Sequence, residues 1–248
     1  MKIVVDNLIT EYSRSGKNGA PLVLLLPGWR SPAANFAKLA AALAKNFAVL
    51  TVDFPGWPNA DKPLRAWNMA DYADWTAKFL AKVGATEIFA IIGHSFGGRV
   101  MLKGLASGQF AAQKLIFMDV AGIKPRSGAK AKLIKTAARL ARILPSGFRQ
   151  KIGQKFASDD YKSLGNNPIL RATFSKIVEE DLTSLMPKIR AKSLLIWGRN
   201  DTETPLADAE VFANNLPDSH LEIIENAGHY VFLDQPDRVA KLIKDFLC

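Results

Sequence analysis

The chain has 248 residues, 48% of them hydrophobic and 23% charged, with 33 Lys and Arg against 23 Asp and Glu for a formal net charge of +10. That size and balance suit a soluble protein with one sizeable core, and no apolar run approaches the ~20 residues that span a bilayer. A single cysteine, Cys248, excludes an intrachain disulfide or a cysteine-based metal site, and three histidines argue against a His-rich metal centre.

The opening stretch MKIVVDNLITEY has no apolar core of a signal peptide and carries Asp6 and Glu11 early, so a cytoplasmic chain is expected. Residues 2–5 and 8–14 read as a hairpin. Further short apolar runs follow at 21–28, 47–56, 87–92, 114–119, 193–198 and 220–225. Helical patterns fall between them at about 32–45, 68–83, 96–107, 206–214 and 236–247. Ser31-Pro32 and Thr204-Pro205 look like an N-cap followed by proline in the first helical position. Strand–helix alternation predicts a mostly parallel sheet with helices on both faces, whose ligands gather at the carboxyl ends of the strands.

Residues 123–190 break the alternation. They offer helical segments but no convincing strand, and hold 15 Lys and Arg against 5 Asp and Glu, so the whole charge excess lies here. The stretch leaves the sheet after Asp119 and rejoins it at Ser193, at the expected functional edge. It is expected to form a helical cap, with 1–122 and 191–248 as the core domain. On a helical wheel of 130–144, Leu133, Ala137, Leu140, Ala141 and Leu144 share one face, opposite Lys132, Lys135, Arg139 and Arg142. A lid with an apolar underside and a solvated outside is the preferred reading; docking of the basic face on anionic surfaces is the alternative. Nucleic-acid binding is not expected, because the charge lacks interleaved aromatic stacking motifs.

The chemistry centres on Gly93-His94-Ser95-Phe96-Gly97, between a predicted strand and a predicted helix. In that context G-x-S-x-G forms a strained elbow that holds the serine hydroxyl above the sheet, at the positive end of a helix dipole. A serine needs a base, and the base an orienting acid. His229, after the last strand, is the candidate base. His94 is tied up in the elbow, and His220 begins its strand at the wrong edge. Asp201, after the preceding strand, is the candidate acid, with Asp119 as the alternative. The order Ser95, Asp201, His229 is the one expected on an α/β-hydrolase sheet.

With LLLPGW, VDFPGW, GHSFGG, IWGRNDTETP and NAGHYVFLDQP, the chain resembles the α/β-hydrolase superfamily, and specifically its serine carboxylesterases with a helical cap. The resemblance covers 20–122 and 191–248. It implies an α/β-hydrolase fold with a mostly parallel eight-stranded sheet, and a triad of Ser95, Asp201 and His229. It also implies an oxyanion hole from the backbone N–H groups of Trp29 and Phe96. Pro27-Gly28 stands where many members have His-Gly, and the proline, which has no N–H to donate, is expected to stiffen that loop; Arg30 stands where they have a small residue, and a solvent-facing arginine is preferred over one at the mouth that favours anionic substrates. The implied reaction is hydrolysis of a carboxylic ester with a small to medium, largely apolar acyl group, needing no cofactor and no metal. Arg30, Phe148, Phe156 and Phe174 are candidate pocket residues. Carbon–carbon bond hydrolysis, perhydrolysis and aminopeptidase action (with Glu179 and Glu180 reading an amine) use the same triad. A slow-turnover ligand sensor is the alternative from another class.

Overall fold

A computed structural model describes residues 1–124, 164 and 166–248. Consecutive Leu, Ile and Val with no polar alternation make strands buried on both faces, and such strands can pair only in the middle of a covered sheet. They are β3 (Leu22–Leu26), β4 (Ala48–Val52) and β5 (Ala90–His94), each wholly buried, with β6 (Lys114–Met118) and β7 (Lys192–Gly198) nearly so. The half-exposed β1 (Lys2–Val5), β2 (Leu8–Ser15) and β8 (Ser219–Ile224) lie toward the edges. The eight strands run in the order β1-β2-β4-β3-β5-β6-β7-β8. The β1–β2 and β2–β4 pairs are antiparallel and every other pair is parallel.

Strand periodicity sorts the core into two layers. Leu24, Leu26, Leu50, Ile91, Phe117 and Trp197 face one side, while Val23, Leu25, Val49, Ile92, Ile116 and Ile196 face the other. Helices α2 (Met69–Lys82), α3 (Phe96–Ala106) and α5 (Leu206–Asn215) cover the first side. Helices α1 (Ala37–Leu43), α6 (Val231–Asp234) and α7 (Pro236–Leu247) cover the second. Each buried Leu, Ile or Phe is worth ~1.5–3 kcal/mol of transfer free energy, which is what holds the layers together.

Caps set the helix starts. Asn68 and Asp71 exchange side-chain and backbone bonds in a capping box at α2. Pro32 and Pro205 are themselves the N-cap residues, in extended backbone, so the expected caps at Ser31 and Thr204 do not form. Their hydroxyls are engaged elsewhere: Ser31 Oγ accepts from Asn35, and Thr204 Oγ1 donates to Asp201.

The second part of the 123–190 stretch contains helix α4 (Pro168–Glu179) and a 3₁₀ segment (Thr183–Lys188). Asn167 caps α4 by accepting from Leu170 N–H, with Pro168 in the first turn. Helix α4 is fastened to the core. Trp67 N–H donates to buried Thr173 Oγ1 at 3.0 Å. Arg99 of α3 donates to the carbonyls of Ile177 and of Glu180, the latter at 2.6 Å, and Lys103 pairs with Glu180 at 2.6 Å. Arg99 therefore holds carbonyl oxygens at the α4 C-terminus. Burial draws its guanidinium down to about 10. The amphipathic 130–144 segment, Phe148 and Phe156 lie outside the described residues.

Candidate active site

Strand β5 continues through Gly93 and His94, pairing with Phe117 and Met118, and then turns at once into α3. Ser95, at the turn, takes φ +48° and ψ −112°, a strained conformation for a non-glycine residue. Ser95 N–H donates to Met118 O at 3.0 Å, which fixes the turn to β6. The flanking glycines are demanded by close approach. A Cβ on Gly93 would lie 2.7 Å from Gly98 N, and one on Gly97 would fall on the carbonyl oxygen of Leu26 in β3.

Asp201 closes the turn after β7. Its Oδ1 accepts the N–H groups of Glu203 and Thr204 at 2.8 and 3.0 Å, and its Oδ2 accepts Thr204 Oγ1 at 2.5 Å. Oδ2 also accepts from His229 Nδ1 at 2.9 Å. The pair is almost wholly shielded, with side-chain exposures of 0% for Asp201 and 8% for His229. Burial would raise the Asp201 carboxyl, but His229 and Thr204 outweigh it and hold the group below its ordinary range. For His229, burial opposes the charged form. The Asp201 bond and charge, helped by Glu203 and Asp119, prevail and move the imidazole above its usual 6.5. The second ring nitrogen, Nε2, lies 3.5 Å from Glu203 Oε2.

Two residues hold the His229 loop in place. His94 Nε2 donates to the carbonyl of His229 at 2.7 Å, so the residue before Ser95 grips the residue that bonds Asp201. Its ring also packs on His229, Tyr230 and Phe232, with centroids 5.0–5.1 Å apart. Burial, then the neighbouring His229, depresses His94 to about 3, so it stays neutral. Asp119, at φ +45° after β6, accepts Gly198 N–H at 2.8 Å and Val231 N–H at 3.2 Å. It thereby joins the Asp201 and His229 loops without bonding to the imidazole, and burial pushes its carboxyl up to about 8 against the pull of those donors. His220 is exposed and bonds Glu222 on its own strand. Among these, the bridging of Asp119 and the grip of His94 are long-range contacts that no local pattern signals.

Trp29 and Phe96 stand beside the elbow, their rings 5.5 Å apart. Among the described residues neither backbone N–H is taken up by another group. Trp57 Nε1 donates to Gly28 O at 3.0 Å and steadies the loop before Trp29. Phe174 of α4 packs on the Trp29 ring at 5.4 Å, so this pocket candidate joins the aromatic wall. Arg30 is half-buried at φ +50°.

A shielded histidine is thus held at Nδ1 by a carboxylate, and its backbone carbonyl is tied through His94 to the elbow that carries the strained Ser95. The model of the alpha/beta hydrolase family matches residues 23–242. The chain belongs to the alpha/beta hydrolase family. This hydrolase is 28% identical to the monoacylglycerol lipase abhd6-B of Xenopus laevis over 269 residues, covering 95% of this chain and 78% of that protein. Its fold is similar to that of a membrane phospholipase A described as a bacterial virulence factor, with a TM-score of 0.79 and 23% identity over 100% of this chain and 84% of that one. An esterase from Exiguobacterium antarcticum is similar at TM-score 0.77 and 21% identity, over 100% of this chain and 98% of that chain. Among the described residues of the hydrolase, no helix is long and apolar enough to cross a membrane.

Proposed function

We propose that this hydrolase cleaves carboxylic esters through an acyl-enzyme. The observation that carries the reading is the shielded Asp201–His229 pair, fastened through His94 to the strained Ser95 elbow. Ser95 Oγ attacks the ester carbonyl while His229 Nε2 takes the hydroxyl proton. The tetrahedral oxyanion is received by the N–H groups of Trp29 and Phe96, each donor being worth ~3 kcal/mol of barrier. His229 then returns the proton to the leaving alkoxide, and Asp201 stabilises the imidazolium throughout. Water, deprotonated by the same nitrogen, releases the carboxylic acid and restores Ser95. Metal and organic cofactors have no part in these steps, and a small-molecule ester is the only partner required, with no role for nucleic acid.

The aromatic wall of Trp29, Phe96 and Phe174 suits a small to medium apolar acyl group, and relatives named as lipase and esterase support ester chemistry. Helix α4, which brings Phe174 onto the Trp29 ring, supplies one side of the acyl site in this reading. The test is a panel of aryl and alkyl esters of graded acyl length, assayed with the wild type and Ser95→Ala. Loss of ~10⁴-fold or more in kcat is expected from a mutant that stays folded, and retention within tenfold would remove Ser95 as the nucleophile.

A further inference from the structure

The imidazole of His229 is bracketed by two carboxylates, Asp201 on Nδ1 at 2.9 Å and Glu203 on Nε2 at 3.5 Å. The first has a place in the proposed reaction; the second does not. Nε2 is the atom that must protonate the leaving oxygen, which therefore comes within about 3 Å of it. Glu203 Oε2 and the leaving oxygen are thus neighbours of one nitrogen, and substituents on the first carbons of the alcohol come within reach of the carboxylate. Its position is built in, because Asp201 Oδ1 accepts the Glu203 N–H and so fixes where that side chain starts.

Glu203 also opens on space. With Thr204 it lines an open cavity of about 460 Å³ that Ile123 and Val178 also border, the other charged groups of its wall being Arg99, Lys124 and Asp208. The carboxylate is half-exposed, and His229 is its one ion-pair partner among the described residues. An ionised carboxylate can only accept hydrogen bonds. It therefore suits an alcohol that brings hydroxyl donors, and opposes one that brings a negative charge. We propose that Glu203 is a specificity residue that accepts a hydrogen bond from a hydroxyl of the leaving alcohol, so that esters of polyhydroxylated alcohols are preferred over esters of simple alkanols. The proposal rests on the ester-hydrolase reading above. The charged or titratable groups around the imidazole are Asp201, Glu203 and Asp119, with neutral His94 against its ring. Removing Glu203 therefore also lowers the basicity of His229, for every ester alike.

The discriminating measurement is a ratio within one variant, which cancels that shared effect. We compare kcat/KM for 2,3-dihydroxypropyl and propyl esters of the same short acid in the wild type, Glu203→Ala and Glu203→Gln. The dihydroxypropyl-to-propyl ratio should fall about tenfold or more in Glu203→Ala, as loss of a hydrogen bond to a charged group implies. A carboxymethyl ester, disfavoured by the wild type, should gain relative to the propyl ester in Glu203→Gln. Thermal melts confirm that both variants are folded. A ratio that moves less than twofold in Glu203→Ala, or equal losses on all esters, overturns the proposal. If Ser95→Ala still turns over these esters, the nucleophile assignment fails, whatever Glu203 does.

Discussion

Replacing Asp119 by asparagine removes one acceptor from a buried bridge while sparing its backbone, since asparagine tolerates the positive φ as well as aspartate does. Both carboxyl oxygens accept, from Gly198 N–H at 2.8 Å and Val231 N–H at 3.2 Å, and a carboxyl that holds its proton still offers a lone pair on each oxygen, which an amide nitrogen does not. The amide offers one oxygen and turns an NH₂ toward the other donor, leaving a buried N–H unsatisfied at a cost of about 2 kcal/mol. In a chain of this length that lowers Tm by roughly 4–8 °C. Gly198 and Val231 flank the loops of Asp201 and His229, so the 2.9 Å contact loosens but survives, and kcat/KM should fall by about 10–100-fold. Asp201→Asn, which locks the imidazole in the wrong tautomer, should cost ~10⁴-fold, the loss measured for the corresponding change in a serine protease. The pH dependence gives an independent sign. The folded-state carboxyl of Asp119 is raised to about 8, above its unfolded value, so its stabilising proton is held at low pH and lost as pH rises through that value. The Tm advantage of the wild type over Asp119→Asn should accordingly narrow between pH 5 and 9. Melts across that range, with ester assays of both mutants, test the reasoning. It is refuted if Asp119→Asn is as inactive as Asp201→Asn, or if the Tm gap widens with pH.

Arg99→Met strips two charge-assisted donors from the Ile177 and Glu180 carbonyls and should destabilise by about 3 kcal/mol, seen as a Tm lower by roughly 6–12 °C; an unchanged melt would mean that α4 is held without it. The raised basicity of His229 places the acid limb of the kcat/KM–pH profile above 6.5, because attack needs the neutral imidazole. A limb below 6.5 in the wild type would contradict the two-carboxylate environment.

The buried parallel strands were legible because their composition leaves no alternative, and Ser95, Asp201 and His229 because each follows a strand at the same edge. The misjudged boundaries have physical causes. The run 47–56 reads as one strand because it is apolar throughout, yet β4 ends at Val52; Phe54 and Trp57 are buried in a loop, among aromatic rings 5.2 Å apart. Gly93 reads as a stop, yet it pairs across the sheet as an ordinary strand residue, with the turn deferred to Ser95. The hydroxyls expected to cap helices were claimed by nearer acceptors and donors. Glu203 carried no signal, since its proximity to Nε2 depends on a residue 26 positions away. Asp119 was visible as a strand-end acid, but its grip on two backbone donors 79 and 112 residues distant was not.

The fastening of α4 has a practical consequence for anyone building chimaeras in this family. Sequence alternation suggests exchanging the whole insertion at 123 and 190. A foreign segment joined at 190 would have to reproduce the carbonyls of Ile177 and Glu180, or strand a buried guanidinium on the very helix that follows Ser95. A downstream junction at Asn167 keeps Arg99, Lys103 and Thr173 with their native partners. Transplants cut there should inherit a sound elbow, whereas transplants cut at 190 should fail in folding before their specificity can be read.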